Sequence, residues 1–232
     1  MRRLLLVHGC RHYSAWPVLF LLLLLFGCGG SDGLSQVDQI THIGQPQQVV
    51  YVVNESGWPE PELHFFIAAQ NVQLQRDFRP RWAIDAVLVL KDPPDDSALQ
   101  LRFLPDFSRF DKKLQLAGVH GARFTNHAYV NLLVTGPEGS TSSTGSHETL
   151  EMLANPTDDP KAPQICDPVA PYAYGIGPGV DPVLGQNMAD FVFPAFFQPG
   201  AAGPYDYMGL VTRQGVPAPG GFIFDPTSRG GR

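Results

Sequence analysis

The stretch Ser146-His147-Glu148-Thr149-Leu150-Glu151 decides how the rest of the chain is interpreted. It has the pattern H-E-x-x-E, and a helix would place His147 and Glu151 on the same face because one turn separates them. Glu148 follows His147 directly, so its side chain is rotated by about 100° around the helix axis and still lies near that face. The pattern therefore predicts one imidazole and two carboxylates on one side of a helix.

Two interpretations of this pattern stay open. Zinc hydrolases with the related pattern H-E-x-x-H use two ligands one helical turn apart, with a glutamate beside the metal-bound water. Here Glu151 would replace the second imidazole, which is chemically acceptable because zinc also binds carboxylate oxygen. In the alternative interpretation the motif is the solvated face of an acidic helix, and Glu148 complements the positive helix N-terminus.

The composition indicates a folded protein that does not bind nucleic acid. The chain has 232 residues, of which 44% are hydrophobic and only 16% are charged, so it can bury a real core. Its 22 prolines and 24 glycines predict many turns and irregular connections. The sequence has no cluster or stripe of basic residues, which argues against a nucleic-acid partner.

The N-terminus has the features of an export signal. Three arginines precede an unbroken apolar run, residues 18–26, that is too short to span a bilayer comfortably. We therefore predict a signal peptide over residues 1–27. The stretch Leu25-Phe26-Gly27-Cys28 resembles a bacterial lipobox, which implies that Cys28 is acylated and that residues 28–47 form a flexible stalk.

This prediction makes the protein an exported lipoprotein held at the cell-envelope membrane by its N-terminal lipid. The alternatives are an ordinary signal peptide, which would give a secreted or periplasmic protein, and an uncleaved anchor. Cleavage before Cys28 removes three arginines and no acids, so the mature charge would be 13 − 22 = −9. Only Cys166 then remains, so no intramolecular disulfide can form.

The hydrophobic pattern predicts an α+β fold. We expect strands over residues 49–53, 84–90, 99–103 and 128–134, a helix over 61–78 ended by Pro80, and the motif helix over 143–154. The motif helix would be capped by Ser142, Ser143 or Thr144, and the 99–103 strand would be half-exposed. After Pro156 we expect an irregular part rich in proline and glycine, in which only residues 190–197 and 221–224 look regular.

Five blocks of the chain follow one another in a recognisable order: residues 146–156, 164–169, 189–197, 205–209 and 220–222. Together they resemble an uncharacterised family of bacterial and phage proteins with zincin-like sequences. The family pattern is S-H-E-x-x-E-x-x-x-D-P, then E-[IV]-C-D-P-V, S-D-F-V-x-P-x-[WF]-F, Y-D-x-x-G and G-G-Y. Residues 74–82 also resemble the end of the family's first helix. The resemblance implies a zincin-like, metalloprotease-like domain over residues 48–232, with a twisted mixed sheet and two main helices.

The resemblance also implies a ligand set. Asp167 matches the aspartate of the family's E-[IV]-C-D-P-V block and is expected to be the third ligand, although it could instead cap a turn before Pro168. Zinc would then be held by His147, Glu151 and Asp167, with Glu148 as the base that activates water. An oxygen-rich set of this kind also suits manganese or calcium.

Two departures from the family pattern bear on activity. Asn155 stands where the family has aspartate, and Gln164 stands where it has glutamate. Together with Cys166, these residues are expected to lie just outside the metal ligands.

The H-E-x-x-E motif and the family resemblance together predict a zinc-dependent hydrolase, a peptidase that acts on peptides or proteins at the cell envelope. The alternatives are an inactive zincin-like binding or scaffold domain and a purely structural metal.

Two histidines and one aromatic block have weaker interpretations. His120 and His127 precede the motif helix and could polarise a substrate carbonyl, but a surface position is the expectation for both. The aromatic block 191–197 could line a substrate cleft or pack in the core.

Overall fold

The computed structural model describes residues 47–110, 116–121, 124–134, 136–137, 139–157, 159, 162–177 and 186–223. These residues all belong to one compact unit. The predicted signal peptide, Cys28 and the stalk up to residue 46 lie outside the described residues. Within the described ranges, no helix has both the length and the apolar composition that a bilayer crossing requires.

A mixed sheet forms the centre of the fold. Its strands are β1 (Gln48–Asn54), β2 (Ala86–Leu90), β3 (Leu99–Leu104), β4 (Gly118–Gly121) and β5 (Phe124–Asn131). They lie in the order β2-β1-β3-β5-β4; the first four are parallel, and β4 at the edge is antiparallel to β5. The sheet confirms the predicted α+β class, with mainly parallel pairing.

The first helical region is longer than predicted and contains a π-helical turn. It consists of α1 (Glu60–Val72), a π-helical segment (Gln73–Phe78) and α2 (Arg79–Trp82). A helical period over residues 61–78 predicts that six residues share the face turned to the core. All six are buried, which confirms this prediction: Leu63, Phe66, Ile67, Gln70, Leu74 and Phe78. The prediction that Pro80 ends the helix is wrong. Pro80 lies in the first turn of α2, where its missing N–H is tolerated, and the helix ends at Ala83 in a left-handed conformation with φ 55°.

Two strand predictions need correction. The half-exposed alternation predicted for β3 is wrong at Gln100, which is fully buried. Its side chain donates to the Asp95 carbonyl, in the preceding turn, at 3.3 Å and accepts from Arg102 at 2.6 Å, so its polar atoms are satisfied. The strand predicted over residues 128–134 instead runs from Phe124 to Asn131 as β5. It ends at Asn131 because the Asn131 side chain accepts from Leu133 N at 2.9 Å and turns the chain.

The C-terminal part contains short elements that the sequence pattern did not predict. A two-stranded antiparallel sheet is formed by β6 (Ala173–Ile176) and β7 (Gln186–Ala189). Each strand has four residues, too few for a visible period. Of the predicted regular stretch 190–197, only Pro194–Phe196 forms a 3₁₀ turn. Residues 221–223 form no regular element, and residue 224 lies outside the described residues.

Candidate metal centre

The motif lies on α3 (Thr141–Ala154), which packs against β5, β4 and β7. The predicted caps, Ser142, Ser143 and Thr144, are wrong, because Ser140 is the N-cap and forms a reciprocal capping box with Ser143. Leu150 and Leu153 are buried as expected. Gly145 allows close packing, since a Cβ there would lie 3.0 Å from the Phe66 ring. The helix therefore packs closely against the aromatic side chains of the core.

A buried hydrogen-bond network fixes the residue before the motif histidine. The Ser146 hydroxyl donates to Gln73 Oε1 at 2.7 Å and accepts from Ala189 N at 3.1 Å. Gln73, on the π-helical segment, also donates to the Ala189 carbonyl at 2.9 Å. All of these polar groups are buried, so the network joins the first helical region, α3 and β7 at one point.

The three predicted metal ligands lie together, and we call them the His147 group. The group consists of His147, Glu151 and Asp167, whose ligand atoms all lie within 4.8 Å of one another. His147 Nε2 is 3.4 Å from Glu151 Oε1 and 3.4 Å from Asp167 Oδ1. Glu151 is only 2% exposed, so the interpretation of this residue as part of a solvated helix face is wrong.

Glu151 also organises the segment that brings Asp167 to the helix. Its Oε1 accepts hydrogen bonds from Cys166 N at 3.1 Å and from Asp167 N at 3.4 Å. The Cys166 thiol contacts the His147 carbonyl at 3.8 Å and is buried. A 3₁₀ turn, Asp167–Val169, follows directly. Glu151 therefore acts as an acceptor for backbone as well as a candidate ligand.

The C-terminal tail holds this segment from the other side. Phe222 N donates to the Asp167 carbonyl at 2.9 Å, and Ala218 N donates to the Pro168 carbonyl at 2.9 Å. Gly221 lies so close that a Cβ on it would be 2.1 Å from the Pro168 carbonyl oxygen. This close approach explains why glycine occupies position 221 in the block 220–222.

We expect Gly221→Ala to reduce both stability and metal binding. The added methyl group would overlap backbone atoms of Pro168, so the tail or the Asp167 turn has to move. A clash of this kind costs about 1–3 kcal/mol of unfolding free energy. Urea unfolding and zinc content would measure the two effects. Gly175→Ala is the matched control, because a Cβ on Gly175 meets no atom within 4 Å; equal behaviour of the two variants would contradict the prediction.

A second set of ligand-type side chains adjoins the first, and we call it the His120 group. It consists of His120 on β4 together with Glu148 and Glu151 on α3. His120 Nδ1 is 3.2 Å from Glu148 Oε2 and 3.4 Å from Glu151 Oε2. Glu148 also packs against β4, since a Cβ on Gly118 would lie 2.4 Å from its Oε1. The two groups share Glu151, which offers one oxygen to each.

Burial and neighbouring charges change the acidity of these side chains. Burial raises the pKa of Asp167 to about 6; the neighbouring imidazole of His147 opposes this rise, and the charges of Glu151 and Glu148 add to it. Burial would also raise the pKa of Glu151, but His147 and His120 outweigh it and the pKa lies below its usual value. Burial would lower the pKa of His120, but Glu148 and Glu151 raise it overall. The centre therefore contains buried carboxylates that require nearby positive charge.

The spacing of the donor atoms fits metal ligands. Two ligands about 2.0–2.2 Å from one tetrahedral ion lie about 3.3–3.6 Å apart. A hydrogen bond between imidazolium and carboxylate is shorter, about 2.7–2.9 Å. The nitrogen–oxygen distances of the His147 group, 3.4 Å and 3.4 Å, have the separation of two ligands on one ion. The residues present thus fit a divalent cation.

The other residues singled out in the sequence have different positions. Asn155 closes the end of α3 by exchanging hydrogen bonds with the Asp159 backbone at 2.9 Å and 3.0 Å. Gln164 is half-buried next to the segment that carries Cys166. His127 bonds to the Tyr129 hydroxyl at 3.1 Å and belongs to neither ligand group. Among the aromatic residues, Phe191, Phe193 and Phe196 are buried in the core.

The expectation of a surface position for His120 is wrong. Its side chain is only 5% exposed and faces Glu148 and Glu151. The edge strand β4 that carries it has no hydrophobic period that would have predicted it. The glycines on either side of Val119-His120 are the one local signal, because they permit a close approach of backbone and side chains.

Comparisons of the chain with protein-family models, with curated proteins and with solved structures found no match.

Proposed function

We propose that the protein is a metal-dependent hydrolase with a zincin-like domain, a peptidase acting at the cell envelope. The observation that carries the proposal is the His147 group, in which two ligands from one helix meet a third from a separate segment at ligand spacing. Zinc is the ion we favour, since it accepts this mixture of imidazole and carboxylate; other divalent ions remain alternatives.

The architecture supports the same proposal. A mixed sheet backs α3, and the third ligand arrives after that helix from the irregular C-terminal part. This arrangement agrees with the zincin-like resemblance of the motif series. The arrangement favours a zincin-like fold, while the proposed function rests on the residues of the site.

Each side chain has a role in this proposal. His147, Glu151 and Asp167 would hold the ion, and Cys166 N and Asp167 N would orient Glu151 through its Oε1. A divalent ion bound there would lower the pKa of a water molecule that it coordinates. Glu148, next to His147 on the helix, would accept a proton from that water and return it to the leaving group. Cys28 would anchor the domain to the membrane through a lipid.

Metal analysis tests the proposal directly. We expect the purified full-length chain to contain zinc after supplementation. His147→Ala and Asp167→Asn should each lose the ion held by the His147 group, because each variant removes a ligand of that group. His127→Ala is the control, since His127 belongs to neither ligand group. Inductively coupled plasma mass spectrometry gives the ion count per chain. Absence of metal from the wild type would overturn the proposal.

Catalysis requires a second comparison. Glu148→Gln keeps the size of the side chain and leaves all three residues of the His147 group in place. We expect this variant to retain the ion of that group and to lose peptide hydrolysis by a factor of about 100 or more. Wild-type protein that binds metal but cleaves no peptide in a broad peptide library would favour the inactive binding domain, for which Asn155 and Gln164 are the supporting observation.

A further inference from the structure

The His120 group has the composition and spacing of a second ligand set. His120 Nδ1 lies 3.2 Å from Glu148 Oε2 and 3.4 Å from Glu151 Oε2. The second distance equals those in the His147 group. The first is a hydrogen-bond contact, slightly shorter than the separation of about 3.3–3.6 Å for two ligands on one ion. All three side chains are withdrawn from solvent, with exposed fractions of 5%, 9% and 3% for His120, Glu148 and Glu151.

Glu151 connects the two groups through its two oxygens. Its Oε1 faces His147 and the Cys166 backbone, while its Oε2 faces His120. A carboxylate that directs one oxygen to each of two ligand sets is the arrangement of a bridging ligand. In sites with two ions, the ions lie about 3.5–4 Å apart and act on the same reactants.

The charge of the buried side chains favours more than one cation. Metal binding requires neutral imidazoles, so the two histidines then contribute no charge and Glu148, Glu151 and Asp167 contribute three negative charges. One divalent ion would leave a net charge of −1 on these buried ligands, and a second cation would compensate it. A second divalent ion would change the net charge to +1, suited to an anionic group of a substrate.

We propose that His120, Glu148 and Glu151 bind a second divalent cation, so that the centre holds two ions bridged by Glu151. This inference rests on the proposed function, because the second ligand set shares Glu151 with the first. It assigns His120 a ligand role and gives Glu148 a contact with the second ion. A carboxylate-rich site with one ion is expected to lower the pKa of a bound water molecule only weakly, and a second ion would add to that effect.

The packing of β4 on α3 explains how the second set is held. Gly118 leaves room for the Glu148 carboxylate against the strand, and two residues later His120 approaches the same carboxylate from β4. β4 is paired with β5 through His120–Ala128, so the imidazole is carried by the sheet and not by a free loop. The second set is therefore built from two regular elements.

Counting ions in matched variants tests this inference. The full-length chain would be stripped with chelator, loaded with zinc, freed of excess by gel filtration and analysed for zinc per chain. We expect two ions in the wild type and in His127→Ala, and one ion in each of His120→Ala and His147→Ala. Loading with Mn²⁺ gives an independent readout, since electron paramagnetic resonance should show a coupled pair in the wild type and an isolated ion in His120→Ala.

The outcomes separate this inference from the proposed function. One zinc in the wild type, unchanged in His120→Ala and lost in His147→Ala, would overturn the second site and leave the first. Two zinc ions in both the wild type and His120→Ala would also overturn it. No zinc in the wild type would overturn both proposals. Should His120→Ala fail the circular dichroism check for folding, His120→Gln, which keeps a polar side chain, replaces it in the same count.

Discussion

Glu151→Ala is expected to lower the free energy of unfolding by about 3–5 kcal/mol even without metal, the range measured when one partner of a buried charged pair is removed. The side chain is 2% exposed and accepts from Cys166 N and Asp167 N. Its removal leaves these buried N–H groups without their acceptor, and it withdraws negative charge from His147 and His120.

Glu151→Gln separates the structural role of this residue from metal binding. The amide oxygen can still accept from the Cys166 and Asp167 backbone, so most of the stability should remain, whereas the loss of charge should weaken zinc binding sharply. Urea unfolding of chelator-treated protein gives the stability, and zinc content gives the binding. Glu151→Ala with wild-type stability would contradict the structural role, and Glu151→Gln with full zinc content would contradict the ligand role.

Asp190→Asn is expected to make the protein more stable than the wild type at pH 8 and to flatten its pH dependence. Asp190 is buried beside Asp206, and its Oδ1 accepts from Phe191 N at 2.8 Å and Met208 N at 3.2 Å. Its Oδ2 receives no hydrogen bond from the described residues. Burial, with added repulsion from Asp206, raises the pKa of Asp190 to about 8.

The sign of the effect follows from the two pKa values of Asp190. In the unfolded chain its pKa is about 3.9, and in the folded protein it is about 8. Below pH 4 both states are protonated, and the contribution to stability is fully present. Between these values only the folded state holds the proton, so the free energy of unfolding falls by about 1.4 kcal/mol per pH unit. Above pH 8 the fall levels off.

Asparagine reproduces the protonated form of Asp190. Its oxygen can accept from the two backbone N–H groups, and its amide can donate to Asp206, so this contribution no longer depends on pH. Between pH 5 and pH 8 the stability difference between variant and wild type should change by up to about 4 kcal/mol. Urea unfolding at several pH values measures it.

Asp206→Asn is the comparison for this pair. Both Asp206 oxygens accept backbone hydrogen bonds, from Leu210 N at 2.7 Å and Val211 N at 3.0 Å, so an amide nitrogen leaves one N–H unpaired. We expect lower stability at every pH. An unchanged pH slope in Asp190→Asn would show that Asp190 is not the group that titrates.

Local spacing accounted for part of the candidate site. His147 and Glu151 lie one turn apart on a helix, and the structure places their ligand atoms together as the spacing predicted. Asp167 was expected from the motif resemblance, and it joins them from a segment that follows the helix. The C-terminal tail that holds Asp167 in place has no periodic pattern, so its contacts could not be read from spacing.

The buried polar network around Ser146 shows the limit of such reasoning. Gln73 lies within the predicted helix 61–78, and in the structure a π-helical turn directs it to Ser146 and to the Ala189 carbonyl. The burial of Gln100 in β3 is a similar case, because its partners come from the neighbouring turn and from Arg102. Side-chain partners of this kind depend on which elements pack together.

The sequence by itself determined the α+β class, the apolar face of the first helix and the pairing of His147 with Glu151, since all three depend on periods of a few residues. Only the tertiary structure decided that His120 faces Glu148 and Glu151, and that Asp190 lies beside Asp206. Those contacts join distant segments. They depend on the antiparallel register of β4 and on the path of the C-terminal chain, which no local pattern encodes.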